Sequence, residues 1–324
     1  MYCWPVPVIQ EISERQPGFL APNLSPVGLE LIPTELGKGV YGLMANRLPK
    51  DNNGLIIGTK AALVVDAGIT PGVGRYLQEV VRKVTDVPVH YLANTTFHGD
   101  HTFGNVAFPD DIAIVSSRLN KASMTDLEAE KRYRSESMYG DPGMEEVVSW
   151  REPDIVFDRF CEIDLGGRVV HLWHFGIGNG SGDTVVHVPD AKVAWAGNFL
   201  RHAGMPPMLL NGDPIGYTRS IRAMKATLEL ERFVPGHGPL SDAEPSISWM
   251  LSYLEEMAAV VDAKRQQGMD LDEMLANPHE LRNPLTLAPE IPGAERFPAL
   301  MQSLHTLNVL LVYRYLESLE RRSL

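Results

Sequence analysis

The stretch NTTFHGDHTFGN, residues 94–105, decides the reading of this chain. It sets two histidines and an aspartate, His98, Asp100 and His101, almost side by side. It follows a run of β-prone residues, Val87–Leu92, so the cluster is predicted on a loop at a strand end. Loops at strand ends are where a rigid scaffold places reactive groups. Imidazole nitrogen and carboxylate oxygen are donors that suit zinc or iron. Adjacent Asp100 and His101 reach one ion only where the backbone turns sharply, and Gly99 permits that. By itself, the spacing is equally that of a solvated polar loop.

Outward from this loop the pattern alternates between strands and helices. Upstream, Val40–Ala45 reads as a strand, and Gly54–Gly58 with Ala61–Asp66 as a hairpin. Thr70 and Pro71 open a helix whose Tyr76, Leu77, Val80, Val81 and Val84 share one face. Downstream, Arg168–Trp173, Thr184–Val188 and Lys192–Ala196 read as strands, with a Gly-rich loop at 176–183. Asp213 and Pro214 cap a helix running to about Leu230. Ile247–Arg265, Leu271–Leu275 and Phe297–Glu320 read as helices. Two successive sets of strands followed by helices predict an α/β layered domain. The Pro-rich residues 1–35 are predicted to be an arm packed on the domain. Residues 36–243 form the main domain, and 244–324 a helical C-terminal extension of it. Leu119–Pro153, charged and Met-containing, is predicted helical and placed to cover a site.

Composition narrows the function classes. The 324 residues are 44% hydrophobic and 22% charged, the profile of a globular chain with a sizeable core. With 29 Lys+Arg against 41 Asp+Glu, the net charge of −12 argues against nucleic acid and anionic membrane as partners. The two cysteines, Cys3 and Cys161, make neither a disulfide framework nor a zinc ribbon, so a reduced, cytoplasmic location is expected. The expected partner is a small-molecule substrate. The last helix, with Leu304, Leu307, Leu311 and Tyr315 near helical spacing, reads as core or as a homodimer contact.

Three further segments accompany the His98–His101 loop. They are GNGSGDT at 178–184, WAGN at 195–198 and VPGHGP at 234–239, with VVDAG at 64–68 upstream. In this order they resemble the metallo-β-lactamase superfamily over roughly Val40 to Pro239. The resemblance implies a four-layer αβ/βα sandwich with a metal site at one edge, usually holding two zinc ions for hydrolysis. It also implies the ligand pattern His-x-His-x-Asp-His on the loop, further histidines from the Gly-rich loop and the Pro-Gly-His turn, and a bridging aspartate.

This chain departs from that pattern on one side only. Thr96, Asn179 and Asn198 stand where the first histidine, the third histidine of the first metal and the bridging aspartate are expected. Asp100, His101 and His237, the second metal's set, are all present. A catalytic zinc site needs three protein ligands and an open position, so the resemblance implies one divalent metal, zinc first and iron or manganese as alternatives. Such an ion would acidify a water for attack on an ester, lactone, amide or thioester. Asp100 and His98 are the expected catalytic residues, His98 as base or oxyanion donor. Thr96, Asn179 and Asn198 are expected to contact substrate or water, and Asp66 to brace the ligand loop. A lyase, isomerase or cyclase on the same metal, or a binding module without turnover, are the rival readings.

Overall fold

Period-two alternation of apolar side chains organises the molecule, because each strand carries residues for two different cores. The computed structural model describes residues 18–210, 213–276, 278 and 293–323. Residues 1–17 of the expected arm, with Cys3, lie outside them. One sheet runs in the order of the chain, through β1 (Leu31–Gly37), β2 (Val40–Ala45), β3 (Asn53–Ile57), β4 (Ala62–Val65), β5 (Val89–Ala93), β6 (Ala113–Ser117) and β7 (Ile155–Phe157). The second sheet comprises β8 (Phe160–Asp164), β9 (Val169–Trp173), β10 (Val185–Val188), β11 (Val193–Gly197), β12 (Arg232–Pro235) and β13 (Ser241–Asp242). Their order is β13-β12-β11-β10-β9-β8.

In β4, Leu63 and Val65 face the second sheet, whereas Ala62 and Val64 face helix α1 (Pro71–Val84) through Leu77, Val80 and Val81. In β11, Val193 and Trp195 meet the first sheet. Ala194 and Ala196 of the same strand pack on α5 (Pro214–Thr227) and α6 (Ala243–Gln266). Helix–sheet–sheet–helix is therefore the layer order, the four-layer αβ/βα sandwich expected of the sequence. Thr70 caps α1 by accepting from Val73 N, with Pro71 in the first turn, as its local sequence predicts. The C-terminal helix, α8 (Phe297–Ser323), joins the outer layer through Val309 and Val312. Its Leu304, Leu307 and Leu311 are buried within this chain.

The structure corrects the expected arm at its end. Leu31–Glu35 are the start of strand β1, with Pro33 opposite Leu43. Pro33 hides a strand in the sequence, but an edge strand tolerates a missing N–H. The region read as helical at 119–153 holds two α-helices that were not individually legible, α3 (Arg118–Ser123) and α4 (Leu127–Ser135), and a one-turn helix, α2 (Gly99–Thr102), lies upstream in the ligand loop. The short α7 (Leu271–Ala276) falls where the spacing predicts it. Among the described residues no helix is long and apolar enough to cross a membrane.

Candidate metal centre

The loops after β5, β11 and β12, and the loop before β3, meet at one edge of the sandwich. The loop at 94–105 is clamped at its ends by reciprocal amide bonds between Asn94 and Asn105, at 3.0 and 2.9 Å. Gly99 starts α2 with an ordinary backbone conformation. It is glycine because a Cβ would lie 2.3 Å from the Phe103 ring. Gly236 likewise lets two loops close, since a Cβ there would sit 2.7 Å from His101 Cε1.

Two histidine rings are held by their Nδ1 atoms and present Nε2 to the same carboxylate. His101 Nδ1 donates to Asp66 Oδ2 at 2.8 Å, and His237 Nδ1 donates to the Pro49 carbonyl at 2.8 Å. The two Nε2 atoms lie 3.6 and 3.1 Å from Asp100 Oδ2. Asp66 is fixed in turn by Thr95, whose N–H and hydroxyl donate to its two oxygens at 2.8 and 2.7 Å. Asp66 adopts a left-handed φ of 58°, a conformation that aspartate and asparagine tolerate best among non-glycine residues. Asp51, on the loop before β3, completes the group. Asp51, Asp100, His101 and His237 are all buried, with one donor atom each lying within 4.8 Å of one another.

The electrostatics are those of a place short of positive charge. Burial, reinforced by Asp100, pushes the Asp51 carboxyl well above the usual carboxylate range. Its Oδ1 has no hydrogen-bond partner among the described residues. Burial also disfavours the Asp100 carboxylate, but Arg134 and His101 outweigh it and hold its pKa well below normal. Burial lowers the pKa of His101, yet Asp66 and Asp100 override it and push it up to about 9. Negative charge that favours a proton at Nε2 favours a metal ion there too. His237 is brought down to about 4 by burial, so its ring is neutral and its lone pair open. The orphaned Asp51 oxygen, two oriented imidazoles and Asp100 form a donor set that fits a divalent ion.

The other expected residues divide. His98 lines the cavity beside Asp100, its Nδ1 3.5 Å from Glu130 Oε1. Asn198 Nδ2 lies 3.2 Å from His101 Nε2, and its Oδ1 accepts from Arg201 at 2.8 Å. Asn179 lines the same cavity and donates to the Met208 carbonyl at 2.8 Å. Thr96 is wholly buried and is not among the residues that line this cavity, and its hydroxyl has no hydrogen-bond partner among the described residues. Four residues were missed by sequence reasoning: Asp51, Glu130, Arg134 and Arg201. Asp51 sits in a loop with no motif, and Glu130 with Arg134 reads as an ordinary i,i+4 pair on a solvated helix. In the structure both are buried, at 0% and 5% exposure, and α4 turns them into the site.

The loops carrying this cluster fall within residues 51–237, which match the family model described as the metallo-beta-lactamase superfamily. The chain belongs to the metallo-β-lactamase superfamily. A metallo-beta-lactamase from Pontibacter korlensis superposes with a TM-score of 0.55 at 19% identity, covering 70% of this chain and 99% of that one. The DIM-1 metallo-beta-lactamase gives 0.56 at 17% identity, covering 70% and 97%. A double mutant of the sec-alkyl sulfatase PisA1 gives 0.64 at 13% identity, covering 88% of this chain and 50% of that one. At these identities the structures establish a shared fold. The superfamily consists mostly of metal-dependent hydrolases, and the matched residues include Asp51, Asp100, His101 and His237.

Proposed function

We propose that this superfamily member is a mononuclear metallo-hydrolase acting on an ester, lactone, amide or thioester in a small, partly apolar metabolite. The observation that carries the reading is the convergence of two pre-oriented Nε2 atoms on Asp100 Oδ2. Asp100, His101 and His237 would hold one divalent ion, zinc first, with Asp51 as a fourth donor. Bound there, such an ion would supply Lewis acidity at the cavity end of Asp100.

The protein's own groups do the rest. His98 faces the cavity with Nε2 lacking a partner among the described residues, so it is free to take or return a proton. Arg134 and Arg201 line the same cavity and place fixed positive charge where an oxyanion develops. Met205, Met208, Leu300 and Leu304 form the apolar wall that excludes water. Asn308 anchors that wall by accepting from Leu209 N at 3.0 Å and donating to the Pro207 carbonyl at 2.7 Å. The cavity is narrow, with an empty volume of about 470 Å³. A cytoplasmic setting and a small-molecule partner complete the reading.

The test is metal analysis of purified protein followed by turnover of an ester, lactone and thioester panel in ¹⁸O-labelled water. One ion per chain and label in the product are expected. Turnover without label moves the protein to a lyase or isomerase, and ligand binding without metal or turnover makes it a binding module.

A further inference from the structure

The half of the site stripped of metal ligands is not open. We infer that the Arg134 guanidinium is the protein's built-in second cation, seated among Asp100, Glu130 and His98, and that it limits the site to one metal ion. The inference rests on the one-ion reading above.

Arg134 projects from α4 and is 5% exposed. Its Nε donates to Glu130 Oε1 at 2.7 Å, and its Nη1 lies 3.2 Å from Asp100 Oδ1. Glu130 is no bystander from a distant helix. Its Oε1 also accepts from Gly99 N at 2.8 Å, on the ligand loop itself, and lies 3.5 Å from His98 Nδ1. Two carboxylates and an imidazole therefore surround one guanidinium, with little exposure to share the charge with water. Asp100 is common to both halves: Oδ2 faces the two histidine Nε2 atoms and Oδ1 faces Arg134. One carboxylate thus couples a metal cation on one side to an organic cation on the other. Removing the guanidinium leaves Asp100 Oδ1, Glu130 and His98 as a buried, negatively charged donor set that suits a divalent ion.

The experiment uses zinc alone as probe. Full-length wild-type protein and the variants R134M, R134K and E130Q/R134M are equilibrated with excess zinc, dialysed and analysed for zinc per chain. One ion is expected for wild type and for R134K, which keeps a cation. Two are expected for R134M, and one again for E130Q/R134M, which lacks the carboxylate. R134M at one ion, like R134K, overturns the inference and leaves the one-ion reading intact. Wild type without zinc overturns that reading instead, and wild type at two ions overturns both. Should R134M be recovered only in zinc-supplemented buffer, its melting temperature must rise with zinc by more than that of wild type. An equal rise refutes the inference.

Discussion

Asp66→Asn isolates what orientation of one ligand contributes to the metal site. Asparagine keeps the size of the side chain and tolerates the left-handed φ of 58°, so the backbone stays in place. Oδ1 can still accept from Thr95 N, and the new amide can donate to the Thr95 hydroxyl, reversing a bond now 2.7 Å long. The damage is confined to His101 Nδ1, which faces an N–H in place of Asp66 Oδ2 at 2.8 Å. Two donors now oppose each other, and relief requires the ring to move its proton to Nε2. That blocks the atom aimed at Asp100. A hydrogen bond to a charged group contributes about 1.5–3 kcal/mol. At about 1.4 kcal/mol per decade this is a loss of roughly 10–100-fold in zinc affinity, the range found for partners behind metal ligands. Competition against a chromophoric chelator at pH 8 measures it, with circular dichroism as the folding control. Affinity within about twofold of wild type, the fold unchanged, would refute the claim that Asp66 sets the tautomer of His101.

The other predictions concern neighbouring parts of the same edge. Asp51→Asn removes the buried carboxylate whose oxygen lacks a donor, and should weaken zinc binding while raising metal-free stability; a melting temperature measured in chelator checks the second half. Gly236→Ala drives a Cβ to 2.7 Å from His101 Cε1 and should cost about 1–3 kcal/mol by urea unfolding, with zinc affinity falling as well. Burial raises the Asp183 pKa from 3.8 to about 6, so its contribution to stability is intact below pH 3.8 and is lost as pH rises through 6. Asp183→Asn should therefore stabilise the protein by up to about 3 kcal/mol at pH 8 and by about 1 kcal/mol at pH 4.5, read from urea midpoints at the two pH values.

Asp100→Ala has a cost that its sequence context conceals. From the loop motif alone, the change removes a ligand and leaves the core untouched. In the fold, Asp100 is buried against Arg134 and His237, and its loss leaves a guanidinium with Glu130 as its remaining carboxylate. Metal binding and stability fall together, and the conservative Asp100→Asn separates them better.

Local patterning carried most of the architecture. Short apolar, β-prone runs marked β2–β5 and β9–β11, and the Thr70–Pro71 and Asp213–Pro214 signals marked two helix starts, because these depend on neighbours in the chain. Strands β1, β6, β7, β8, β12 and β13 escaped, and for the four edge strands among them, β1, β7, β8 and β13, the reason is physical. They lie at or near sheet edges, where half the side chains face water and the apolar signal thins.

The site divides along the same line. The residue types of Asp100, His101 and His237, and the losses at Thr96, Asn179 and Asn198, are properties of the one-dimensional string. So is the expectation of a lopsided centre. What occupies the vacated half is not. Glu130 and Arg134 lie about 30 residues from the ligand loop and carry no motif of their own. Asp51 lies on yet another loop. Only the packing of α4 and of the loop before β3 against the sheet edge turns them inward. A charged side chain is solvated or buried according to what folds over it, and that is decided by tertiary contacts.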